Sequence, residues 1–200
     1  GEVAMGLFRF HRPEGEPLEL FCLPQESPQF TEIDGAKWAV DADLEFVAPY
    51  PFWQDAEDSL AILAAEVGGL KFAVSFPMEI GSANVERTIT NAGDIPAPIL
   101  ARVFGEVDTF RLLNLTTGEA LEVLGPIAPG DFVEVNTAFG EKSIRYFDTS
   151  TGTSSDIFNR LVLGSSFWSL RRGSNLIRFE ADMNVSGSCN LFWRQRYSGI

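Results

Sequence analysis

The feature that most narrows the fold is an unbroken alternation over residues 177–185. Ile177, Phe179, Ala181, Met183 and Val185 hold one parity, and Arg178, Glu180, Asp182 and Asn184 hold the other. Successive side chains of a strand point to opposite faces, so the segment predicts a strand with one face in a core and the other in water. A slip of one residue would bury four polar side chains, which pins the register. From residue 70 onward, shorter patterns of this kind recur with turn signals about every ten residues, the spacing of a β-sandwich. Residues 110–115 and 120–124 flank Thr116-Thr117-Gly118-Glu119 as a hairpin, and Pro129-Gly130 suits the centre of a type II turn before a strand over 132–136. Seventeen Phe and 18 Gly against 3 Lys agree with strands and turns, and the class expected is all-β.

Residues 90–99 (TNAGDIPAPI) read as a strand end, a tight turn and a restart. Asn91, Gly93, Asp94, Pro96 and Pro98 are the residues of this turn. Gly93 can supply a positive φ, Asp94 can bond the backbone two residues on, and Pro96 and Pro98 exclude helix. Upstream, Trp38, Val40, Ala42, Leu44 and Phe46 alternate with Asp41, Asp43 and Glu45, which predicts one long strand over 38–46 with its acids in water. The Pro49-Tyr50-Pro51-Phe52-Trp53 run stops pairing and offers three aromatics as a plug, so a boundary is placed there, giving domains 1–52 and 53–200. Residues 55–67 open on acids, place Leu60, Leu63, Ala64 and Val67 at helical spacing and meet Gly68-Gly69, a local pattern for a short helix.

Charge is distributed unevenly. Residues 1–70 hold 14 acids and 3 bases, a net of −11, while residues 71–200 hold 14 and 12, a net of −2. That sign repels phosphate and argues against nucleic-acid binding, although it suits solubility or a wall past which DNA slides. No apolar run approaches the ~18 residues of a membrane span, and residues 1–20 lack the basic start and apolar centre of a signal peptide, so neither membrane insertion nor export is expected. Gly1 in place of Met suggests that sequence precedes it. Cys22 and Cys189 lack CxxC spacing and are expected to be buried thiols.

Reactive chemistry is sparse. His11 is the only histidine, so a Ser-His-Asp triad or a His-rich metal site would have to pass through one loop residue. The acid pairs Asp41/Asp43 and Glu57/Asp58 have the residue types of a glycosidase but lie on a wet strand face and at a helix-like start. Phosphate-loop, dinucleotide, HExxH and EF-hand patterns are absent. The expectation is no enzyme, no cofactor and no metal. For saccharides, Trp168 beside Arg171 and Arg172, and Trp193 beside Arg194, combine a ring with planar donors. A place in a core or an interface is the stronger reading of both tryptophans.

The order of segments over residues 36–200 resembles the distal tail proteins, or phage tail components, of long flexible-tailed bacteriophages. The resemblance is carried by 38–53 (WAVDADLEFVAPYPFW), 69–77 (GLKFAVSFP), 90–98 (TNAGDIPAP), 114–118 (NLTTG), 130–137 (GDFVEVNT) and 167–175 (FWSLRRGSN), with 193–200 (WRQRYSGI) also similar.

What the resemblance implies is a ring-forming, β-rich N-terminal domain, here represented by its latter part in 1–52, followed by a galectin-like, carbohydrate-module-like β-sandwich. It also implies extended chain over 55–67, against the local helix pattern. The expected role is a homo-hexameric ring at the virion tail tip, assembled in the host cytoplasm, that joins the tail tube protein to a tip, baseplate or tail-lysin hub. The alternative is host adhesion by binding a cell-wall saccharide. Asp41, Asp43 and Glu45 are expected to face the ring lumen.

Overall fold

The computed structural model describes residues 6–32, 40–66 and 82–199. In chain order the strands are β1 (Gly6–Phe10), β2 (Leu18–Pro24), β3 (Gln29–Glu32), β4 (Val40–Asp43), β5 (Phe46–Val47), β6 (Trp53–Asp55), β7 (Ser59–Glu66) and β8 (Ser82–Asn91). They continue with β9 (Ala97–Asn114), β10 (Glu119–Ile127), β11 (Phe132–Asn136), β12 (Ser143–Asp148), β13 (Thr153–Asp156), β14 (Ser169–Leu170), β15 (Gly173–Trp193) and β16 (Arg196–Tyr197). Among the described residues the only helical turn is a 3-10 turn at Phe158–Arg160, so the chain is all-β. No helix there is long and apolar enough to cross a membrane. The chain divides into two compact units, Gly1–Ala56 with Arg196–Ile200, and Glu57–Gln195.

The larger unit is built on two long strands, β9 and β15, which pair with each other from Ile99↔Trp193 to Asn114↔Ile177. Their first shared stretch carries β11, β12 and β13 on the β9 side and β7 on the β15 side; their second carries β10 and β8. One hydrogen bond shows that these stretches fold over each other. Arg87, opposite Ile177, donates from Nη1 to the carbonyl of Ile62, opposite Asn190, at 2.9 Å. Thirteen residues of straight strand span roughly 43 Å, far beyond an arginine's reach, so β15 must bend. The bend coincides with register shifts around Met183 and Gly187, and on β9 the buried parity changes from Ile99, Ala101, Val103 and Val107 to Phe110 and Leu112 across a bulge. The result is a sandwich-like pair of layers around one core that includes Val133, Val135, Leu121, Val123, Ile177, Phe179, Cys189 and Leu191.

The predicted strand over 177–185 is present, with Ile177, Phe179 and Ala181 buried; the side chains of 183–186 lie outside the described set. The 110–124 hairpin forms, with residues 115–118 as its loop. At Pro129-Gly130 the Asp131 N–H donates to the Ala128 carbonyl at 3.0 Å and Gly130 sits at φ +91°, the type II requirement. The helix expected over 55–67 is replaced by strands: β6 ends at Asp55, and β7 pairs with β15 from Ser59↔Trp193 onward. Ala61 and Leu63 are buried while Leu60 and Ile62 are exposed, a period of two. A full ladder to β15 plus two core side chains outweighs a weak helical propensity. Val67, Gly68 and Gly69, with the rest of the 69–77 motif, lie outside the described residues.

The smaller unit is a sheet in the order β1-β2-β6-β16, with β5 on β2, and β3–β4 form a separate hairpin. The strand expected over 38–46 is two strands, β4 and β5, broken at Leu44-Glu45; Trp38 and Ala39 lie outside the described residues. Its expected core face is not covered, since Val40, Leu44 and Phe46 are all exposed. Of the predicted aromatic plug, Trp53 packs edge-on against Phe8 and Phe10 at 6.0 and 6.1 Å, whereas Tyr50 and Phe52 are exposed.

Candidate assembly surfaces

The sandwich end that carries the motif turns is held by three fully buried asparagines, Asn91, Asn114 and Asn175. Asn91 Oδ1 accepts from the Gly93 N–H at 3.0 Å, and its Nδ2 donates to the carbonyls of Ile95 and Leu170 at 2.9 and 3.1 Å. Asn114 Oδ1 accepts from the Thr116 N–H, and its Nδ2 donates to Asn175 Oδ1 at 3.3 Å. Asn175 closes the 171–175 loop, accepting from the Arg171 N–H and donating to the carbonyls of Arg171 and Gly173. The geometry expected at 90–98 is thus reassigned. Gly93 is not among the glycines with positive φ, Asp94 is exposed, and the turn is an Asx turn closed by Asn91. Pro96 is exposed and Pro98 lies opposite Ser169 at the start of β9. The spacing of Asn91 and Gly93 signals an Asx turn in sequence; the tie to Leu170, 79 residues away, has no local signature.

The saccharide candidates do not converge. Trp168 is 2% exposed, with its indole N–H donating to the Leu112 carbonyl at 3.2 Å, and Trp193 is also buried. Neither presents a ring face for a sugar to stack on. Arg171 is exposed beside its loop, and Arg194 Nε donates to Asp58 Oδ1 at 2.6 Å. Both cysteines are buried free thiols, and burial pushes the Cys189 thiol far above its ordinary range. His11 is exposed after β1, as are Glu57 and Asp58.

The outer face of one sandwich layer is a ladder of charge. Arg111 on β9 lies 3.7 Å from both Glu122 on β10 and Glu180 on β15, and Arg178 lies 3.2 Å from Glu180 and also meets Glu86 on β8. Opposite charges face each other across successive strands, which gives a wet, largely self-neutralised wall. Arg111, Glu122 and Glu180 border an open polar groove of about 360 Å³.

The smaller unit has a different surface. In the β3–β4 hairpin the register pairs Phe30 with Ala42 and Glu32 with Val40 on one face, and Gln29 with Asp43 and Thr31 with Asp41 on the other. Phe30 is 71% exposed and Val40 56% exposed. The candidate acids Asp41 and Asp43 therefore share the polar face of an amphipathic arm, and Glu45 is exposed just beyond it. Elsewhere in the smaller unit Leu7, Phe8, Phe21, Leu44, Phe46 and Val47 are exposed as well.

Comparison with known proteins gives this geometry a context. No curated protein matches the sequence. A chain in the structure of the phage P2 baseplate in its activated conformation with Ca aligns at a TM-score of 0.52 and 9% identity, over 96% of this chain and 68% of that one, a likeness of fold. The sequence profile of the siphovirus-type tail component, C-terminal domain, matches residues 92–197, which takes in the Asn114 and Asn175 turns and both long strands. With more than half of its 200 residues matched, the chain belongs to the siphovirus-type tail component family, the distal tail proteins of long-tailed phages.

Proposed function

We propose that this tail component is a structural subunit whose copies close a homo-hexameric ring at the end of the tail tube. The ring receives the tube protein on one side and a tip, baseplate or tail-lysin hub on the other. Its work is assembly rather than catalysis, and it assembles in the host cytoplasm before taking its place at the virion tail tip. The sandwich is read as the outward, galectin-like module and the smaller unit as the source of ring contacts.

The observation that carries this reading is where the uncovered apolar side chains lie. Among the described residues, ten large exposed hydrophobics fall between Leu7 and Phe52, against six in 57–195. A two-stranded hairpin is marginal alone in water, so an arm bearing exposed Phe30 and Val40 calls for a neighbour to cover it. Head-to-tail contacts of this kind close a ring when the rotation per subunit divides a full turn. The acidic side of the same arm, Asp41 and Asp43, would then line the lumen, where negative charge lets DNA pass without sticking.

Light scattering on the purified protein tests the reading. The expected species has six times the mass of the full-length subunit, and a strictly monomeric full-length protein at micromolar concentration overturns it. Density for an assembled tail tip with Asp41 and Asp43 on the outer rim would overturn the lumen placement alone.

A further inference from the structure

The smaller unit is discontinuous. β6 and β16 are neighbours in one sheet, yet the whole sandwich, Glu57–Gln195, lies between them in sequence. We infer that β16 is a latch: the smaller unit reaches its assembly-competent form only once Arg196 and Tyr197 have been brought back to β6 by the far end of the sandwich.

Three observations carry this. First, among the described residues the buried side chains of the smaller unit are Leu18, Glu19 and Cys22, a core so thin that each strand matters to the sheet. Second, Tyr197 joins three segments. Its backbone is paired with Trp53, its hydroxyl is hydrogen-bonded to the Asp55 carboxylate, and the Arg12 guanidinium lies over its ring at 5.8 Å. Arg12 in turn donates from Nε to the Glu16 carbonyl at 2.9 Å, which ties the β1–β2 loop to the same point. Trp53, the strand partner of Tyr197, is the residue against which Phe8 and Phe10 pack. Third, among the described residues the sandwich core draws none from the smaller unit, so the sandwich has a core of its own to fold around.

Synthesis runs from β1 to β16, so the apolar strands emerge first and wait on an incomplete sheet while the sandwich is made. The latch would then admit to assembly only chains whose sandwich has been completed. This consequence rests on the ring reading; the geometry of the latch does not.

Hydrogen exchange on the full-length protein, compared with Tyr197→Ala and Tyr197→Phe, tests it. Tyr197→Ala should raise exchange in β1, β2 and β6 by about tenfold or more, leave β9 and β15 unchanged, and deplete the oligomer. Tyr197→Phe keeps the ring and loses only the hydroxyl, so it should give a smaller rise in the same three strands. Exchange in β1, β2 and β6 within about twofold of the unaltered protein for Tyr197→Ala, or an equal rise in the sandwich, would overturn the latch. A monomeric unaltered protein would defeat the ring reading while leaving the exchange comparison decisive for the latch.

Discussion

Phe179 and Phe30 both sit on strands whose apolar side chains keep to one face, yet Phe179 is fully buried and Phe30 stands 71% in solvent. The sandwich covers its apolar face with its own second layer, because β9 and β15 are long enough to bend and serve both layers. Among the described residues the smaller unit has strands of two to seven residues and no second layer of that size. An alternating pattern therefore states which face of a strand is apolar. It does not state whether the cover belongs to the same chain.

Substitutions sharpen that contrast. Phe179→Ala should cost about 3–5 kcal/mol in chemical unfolding, since it empties a site with no solvent access. Phe30→Ala should change stability by only about 0.5 kcal/mol while depleting the oligomer in light scattering. The contrast fails if Phe30→Ala unfolds the chain or leaves assembly untouched. Next in size is Asn91→Ala, which strands the Gly93 N–H and the carbonyls of Ile95 and Leu170; a loss of about 2–3 kcal/mol is expected, read from the sandwich unfolding midpoint. Smaller still is Gly125→Ala. Gly125 sits at φ +106°, and an added Cβ would come within 2.8 Å of Arg160 Nη1, whose guanidinium lies over the Tyr146 ring. About 1–2 kcal/mol is expected from that φ even where Arg160 gives way, and a neutral result would mean that the backbone at 125 moves out of the left-handed region.

How much of this was legible follows from which forces are local. The strand at 177–182, the 110–124 hairpin and the Pro129-Gly130 turn depend on neighbouring residues, and alternation or turn chemistry is enough to find them. β7 carries a local helix pattern, against the extended chain that the family resemblance implies, because its ladder partner, β15, begins more than a hundred residues later. Trp168 reads more readily as a core or interface residue than as a sugar platform, and it is buried; the commitment of its indole N–H to Leu112 across the core has no local signature. The turn at 90–98 is legible as a turn, but local chemistry points to Gly93 and Asp94 as its closure, whereas Asn91 closes it. The return of β16 to β6 has no signature at all in a two-residue strand.

The smallest expected effect is on pH dependence, where the two units should respond with opposite sign. In the smaller unit burial raises the Asp55 carboxyl above its ordinary 3.8, with the Tyr197 hydroxyl and Arg12 pulling it back. A raised folded value means that the folded state holds the proton more tightly, so the contribution of Asp55 is complete below 3.8 and lost as pH rises through the higher folded value. In the sandwich, Asp131 is lowered chiefly by the Tyr146 hydroxyl and Asp148 chiefly by the Ser150 hydroxyl. Their contributions are complete above 3.8 and lost as pH falls through their lower folded values. Solvent screens these exposed sandwich carboxylates, so the measurement should be site-resolved rather than a melting curve. Carboxyl NMR titration should place Asp55 above 3.8 and Asp131 and Asp148 below it, and Tyr146→Phe should move Asp131 upward. An Asp55 midpoint at or below 3.8 would mean that Tyr197 and Arg12 outweigh burial, and both units would then weaken together in acid.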